Sequence, residues 1–147
     1  MGVSTDAKLC YGIELDEDKK YPWTNENSES GEEFDIEMWW AIKHGFPKYE
    51  DYTEPDKNYY TELDIFIDKN PLPVKLVKHC CNDYKLYILS IPKTEITANR
   101  GYPEKINISE LVVITADGKK FLDFCKEYIP DFDPNTKPGW LLCSWWG

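Results

Sequence analysis

Two histidines, His44 and His79, and five cysteines are the candidates for base and nucleophile in this 147-residue sequence. His79 directly precedes Cys80 and Cys81, which invites a Cys/His nucleophilic pair with His44 as the alternative base. That chemistry needs thiol and imidazole within hydrogen-bond reach. Neighbours in a regular strand point to opposite faces, so the run 79–81 reads instead as a strand-end histidine beside buried thiols. No catalytic residue is assigned. The His and Cys spacings lack the short paired repeats of structural zinc, and neither Asp16-Glu17-Asp18 nor Asp131-Phe132-Asp133 matches a calcium loop. No metal or cofactor is expected, since the eight glycines also form no phosphate-binding loop.

Arg100 is the single arginine among seventeen basic residues. Its planar fork grips a carboxylate or phosphate as lysine cannot. With Asn99 and Tyr102 it forms an alternative site, for a small anionic ligand such as a nucleotide.

The uneven charge is more informative. Residues 1–68 hold eighteen Asp and Glu against six Lys, a net of −12, whereas residues 69–147 carry +2 of the total of −10. An acidic half disfavours direct binding to DNA or RNA, because phosphate is repelled, and favours a basic protein partner. Five cysteines, an odd number without any Cys-x-x-Cys, suggest reduced thiols. Neither a signal-like opening nor an apolar run of about 20 residues is present, so a cytoplasmic protein without a membrane span is expected.

These residues must be positioned by a fold rich enough in apolar and aromatic side chains (41 % and 15 %) to bury a core. The pattern predicts one α+β domain over 1–147, a mainly antiparallel or mixed sheet packed by about three helices. Leu9–Leu15 alternates as a strand, and Tyr21–Gly31 has the composition of a loop. Ser30-Gly31-Glu32-Glu33 has capping-box spacing and predicts a helix from about Glu32 to His44, stopped by Gly45. Its apolar face is Phe34, Met38, Ala41 and Ile42, which leaves Trp39 and Trp40 outside. A second helix reaches about Asp68 from a cap at Thr53 or Asp56, with Tyr59, Leu63, Phe66 and Ile67 on one face. Val74–His79 and Tyr84–Ile91 predict a hairpin, Pro92–Pro103 a loop, and Leu111–Ile114 a strand. A third helix follows with Phe121, Phe124, Cys125 and Tyr128 on its stripe. Trp140–Trp146 ends the sequence as a strand docked in the sheet.

The lysine-dominated basic set, the heavy use of Asn, Tyr and Asp, the small size and the acidic aromatic face resemble the small accessory proteins encoded by bacteriophages. That resemblance implies an inhibitor of a host enzyme or defence complex, such as an anti-CRISPR protein. Some proteins of this kind act as DNA mimics, presenting carboxylates where phosphates would lie. It also implies a bacterial host cell as the setting. The leading expectation is an acidic interaction module for a basic or nucleic-acid-binding protein. Its binding residues would be Glu32, Glu33, Asp35, Glu37, Trp39 and Trp40, with Glu50, Asp51, Glu54 and Asp56 as a second patch. Carboxylates would steer the encounter and tryptophan would supply affinity. The alternatives are the anion-binding module at Asn99, Arg100 and Tyr102, and a hydrolase or transferase using His79 or Cys80.

Overall fold

The computed structural model describes residues 5–25, 33–52, 55–113 and 115–147, the side chains at 25, 33 and 55–57 excepted. Within them the fold is α+β, with three α-helices, a five-stranded mixed sheet and a two-stranded ribbon. Residue contacts divide the chain into two compact units, Met1–Lys20 with Pro73–Gly147, and Tyr21–Leu72.

The first unit is built on strand β1 (Thr5–Glu14), longer than the strand expected from its alternation. It pairs antiparallel with β7 (Gly139–Trp146) from Thr5↔Trp146 to Gly12↔Gly139, so the apolar run at 140–146 is indeed docked in the sheet. Strands β4 (Lys75–Cys81) and β5 (Lys85–Ser90) form the expected hairpin. β5 then pairs along its other edge with the end of β1, at Gly12↔Ser90, Ile13↔Leu89 and Glu14↔Ile88. The end of β4 meets β7 in parallel, at Cys80↔Trp145 and Cys81↔Trp146. The four pairings β1–β5, β5–β4, β4–β7 and β7–β1 therefore close a ring. All four strands contribute to one apolar cluster: Cys10, Val77 and Ile88 are buried, with Leu141 and Cys143 packed against them. Tyr87–Ser90 are all buried, which explains why β5 is apolar on both faces.

Two sequence expectations in this unit are corrected. No strand forms at Leu111–Val113 (residue 114 lies outside the described residues). A 3-10 turn at Ile108–Glu110 and the bonds Leu111 N–H to Ile108 O and Val112 N–H to Glu110 O hold these groups locally, and β-branched composition alone supplies no partner strand. The predicted loop 92–103 instead contains a short strand, β6 (Ile96–Ala98), paired with β1 at Ala7–Leu9. Helix α3 (Thr115–Tyr128) buries Phe121, Phe124 and Cys125 as its stripe predicts.

In the second unit, strands β2 (Thr24–Asn25) and β3 (Glu33–Phe34) pair within stretches expected to be loop and helix respectively. Helix α1 (Ile36–Lys43) consequently starts four residues later than predicted. Paired Glu33 and Phe34 are extended, and Asp35 is the cap: its Oδ1 accepts the Met38 N–H at 2.9 Å while its own N–H donates to Trp23 O at 3.1 Å. The capping-box residues Ser30, Gly31 and Glu32 lie outside the described residues. Gly45 supplies the expected left-handed residue after the helix, at φ +98°. Helix α2 (Pro55–Lys69) packs Tyr59 and Leu63 with Ala41 and Phe46 into a buried cluster flanked by Met38, Tyr52, Phe66 and Ile67. Tyr59 is its hub, within 5.1–5.5 Å of the rings of Phe46, Tyr49, Tyr52 and Tyr60.

Candidate interaction surface

The acidity belongs to the second unit. Tyr21–Leu72 contains thirteen Asp and Glu against four Lys, a net of −9, and the rest of the chain carries only −1. Among its described side chains Asp35, Glu37, Glu50, Asp51, Glu62, Asp64 and Asp68 are all exposed. The two-helix scaffold explains that placement: α1 and α2 turn their apolar stripes to the Tyr59 cluster, which leaves carboxylates on their outer faces. Asp35 has a second role as the α1 cap. Glu50 and Asp51 sit on a 3-10 turn at Tyr49–Asp51. Glu33 lies in β3 and Asp56 in α2, while Glu32 and Glu54 lie outside the described residues.

Trp39 and Trp40 are half-buried. Ring contacts run from Tyr21 to Trp23 (5.3 Å, stacked), Trp23 to Trp39 (5.5 Å, edge-on), Trp39 to Trp40 (6.2 Å) and Trp40 to His44 (4.0 Å). The Trp40 indole N–H donates to the Asn70 carbonyl at 2.9 Å, tying α1 to the end of α2. Lys43 Nζ stands 5.9 Å from the Trp39 ring centre. Both tryptophans thus hold the unit together and show only part of their surface.

More fully exposed aromatic surface comes from residues not singled out in the sequence. Tyr60 is 65 % exposed and lies 6.3 Å from Tyr49, itself exposed beside Glu50. Ile65 is exposed on α2 as well. Tyr60 falls off the Tyr59, Leu63, Phe66, Ile67 stripe, a signal available from helical periodicity.

The alternative residues lie in the first unit. Asn99, Arg100 and Tyr102 are exposed on a turn closed by the Tyr102 N–H donating to Asn99 O at 2.9 Å. The Arg100 backbone N–H donates to Asp6 Oδ1 at 3.1 Å. None of the three lines the open cleft of about 380 Å³ found in this unit, whose walls are Glu14, Leu15, Asp16, Glu17 and Leu86. Three carboxylates make that cleft attractive to cations rather than anions. The Tyr84 hydroxyl donates to Glu17 at one end of it.

His79 is half-buried in β4, and burial lowers its pKa below the ordinary 6.5, against a smaller upward pull from Glu14. Among the described residues no group of three or more His, Cys, Asp and Glu is arranged to hold a metal ion, and no helix is long and apolar enough to cross a membrane. No family model, curated protein or solved structure matches the chain.

Proposed function

We propose that the Tyr21–Leu72 unit is an acidic, aromatic docking module for a basic, nucleic-acid-binding protein, and that occupying that protein's basic surface inhibits it. The carrying observation is the concentration of −9 of the −10 net charge in one folded unit, with exposed carboxylates alongside exposed Tyr49 and Tyr60. Carboxylates such as Glu37, Glu50, Asp51 and Glu62 would raise the encounter rate with a cationic surface. Tyrosines and the exposed parts of Trp39 and Trp40 would supply contact area, which aromatic side chains do out of proportion to their number. The same carboxylates would compete with nucleic acid for one basic surface. A phage origin and a DNA-mimic mode of action are consistent extensions of this reading.

The test is capture of proteins from a bacterial lysate at low and high salt, comparing the wild type with a Glu37→Lys, Glu50→Lys, Glu62→Lys variant. The reading expects a stoichiometric, salt-sensitive partner that normally binds nucleic acid, and its loss in the variant with the thermal midpoint unchanged. A partner retained by the variant would sink it.

A further inference from the structure

Tyr49 and Tyr60 form a supported aromatic ledge on the acidic unit. Their rings lie 6.3 Å apart at 34°, and they stand nearly perpendicular to Tyr59, at 86° and 90°, with centroids 5.1 and 5.5 Å from it. Tyr59 is 1 % exposed and its hydroxyl donates to the Pro47 carbonyl, so the base beneath both rings is fixed. The outer rings are open to solvent, Tyr49 at 42 % and Tyr60 at 65 %. Carboxylates flank them. Glu50 and Asp51 follow Tyr49 in the same 3-10 turn, and Asp64 stands one turn after Tyr60 on the same side of α2. All three are exposed. Residues 48–64 hold six Asp and Glu against two Lys, a net of −4, so the field around the rings favours a cation.

We propose that this ledge grips an arginine of the basic partner, its guanidinium stacked on Tyr60 and paired with the Asp64 carboxylate. The proposal rests on the acidic docking reading above and names the side chain that surface recognises. Two rings 6.3 Å apart admit no planar group between them, since a contact of about 3.5 Å on each side needs about 7 Å. The occupant therefore lies over the exposed side of Tyr60, where a cation within about 6 Å of the ring centre is attracted to it. Arginine suits this place better than lysine. Its guanidinium is planar and weakly hydrated, and it stacks on an aromatic face while its fork donates to a carboxylate, whereas an ammonium is a compact, strongly hydrated charge. The same fork holds phosphate in nucleic-acid-binding proteins, so an arginine engaged here is withdrawn from its phosphate.

The test titrates the full chain, by calorimetry at low salt, with a short peptide alternating glycine and arginine and with its glycine–lysine counterpart of equal length and charge. The arginine peptide should bind about two- to fivefold more tightly, and its methylene protons beside the guanidinium should move upfield in NMR spectra as they enter the ring current. Tyr60→Leu should remove the preference and the upfield shift while the lysine peptide loses little, and Tyr60→Phe should keep both. Asp64→Asn should weaken the arginine peptide. Thermal midpoints check the fold of each variant, and the wild-type comparison decides the matter if Tyr60→Leu does not fold. Equal affinity of the wild type for the two peptides, an arginine preference retained in Tyr60→Leu, or arginine binding unchanged in Asp64→Asn would overturn the proposal and leave the acidic docking surface standing. Binding of neither peptide would overturn both.

Discussion

Gly12 and Leu89 meet so closely that a Cβ on Gly12 would stand 2.0 Å from the Leu89 carbonyl oxygen and 2.7 Å from the Ser90 Cα. This is the point where β1 passes from β7 to β5, and the contact is backbone against backbone. Gly12→Ala should therefore separate β1 from β5, at a cost of about 3 kcal/mol or more from overpacking. Urea unfolding checks this, with Gly139→Ala as the control, since a Cβ there meets nothing within 4 Å.

Asp35 links stability to the proposed interaction. Asp35→Ala removes the side chain that accepts the Met38 N–H and should destabilise the fold by about 1 kcal/mol. Asp35→Asn keeps an acceptor at the cap and loses only the charge. Thermal melts should place Asn within a few tenths of a kcal/mol of the wild type, while affinity for the captured partner falls.

Tyr59 has two separable contributions. Its hydroxyl donates to Pro47 O and reaches Met38 Sδ, each at 3.0 Å, so Tyr59→Phe should cost about 1 kcal/mol. Tyr59→Ala also empties the centre of the four-ring cluster and should cost about 4 kcal/mol. Denaturant titrations of both variants measure the difference.

His79 should make stability pH-dependent. Its folded pKa lies below the unfolded 6.5, so below that pH the unfolded chain binds the proton more readily. The contribution is present above about pH 6.5 and is lost as the pH falls through the folded value. Unfolding midpoints between about pH 7 and about pH 5 should drop more steeply for the wild type than for His79→Leu, which removes the titration while carboxylates act equally in both. The His79 Nε2 atom is buried with no hydrogen-bond partner among the described residues, so the leucine should cost little at neutral pH.

Side-chain periodicity made much of this fold legible. The stripes of Tyr59, Leu63, Phe66 and Ile67 and of Phe121, Phe124 and Cys125 occur where their spacing puts them, as do the hairpin and the docked C-terminal strand. Tertiary pairing decided the exceptions. Ile96–Ala98 became a strand because β1 offered an open edge, whereas Leu111–Val113 is no less apolar and stayed irregular without one. At the start of α1, Asp35 became the cap because Glu33 and Phe34 are held by β2. The acidic surface was readable as composition, but its confinement to one unit required the contacts that define the unit. The left-handed backbone at Cys80, within a strand, is likewise encoded by no residue pattern.

The long β1–β7 ladder also sets an order of assembly. Thr5 must wait for Trp146, so the ring cannot close during synthesis until the segment 139–146 has left the ribosome. The helical unit, whose residues are all contiguous, is free to gather around Tyr59 long before then. A nascent chain therefore displays its negatively charged portion first, while the edge of β1 that β7 covers remains open to aggregation or to chaperones until segment 139–146 has emerged.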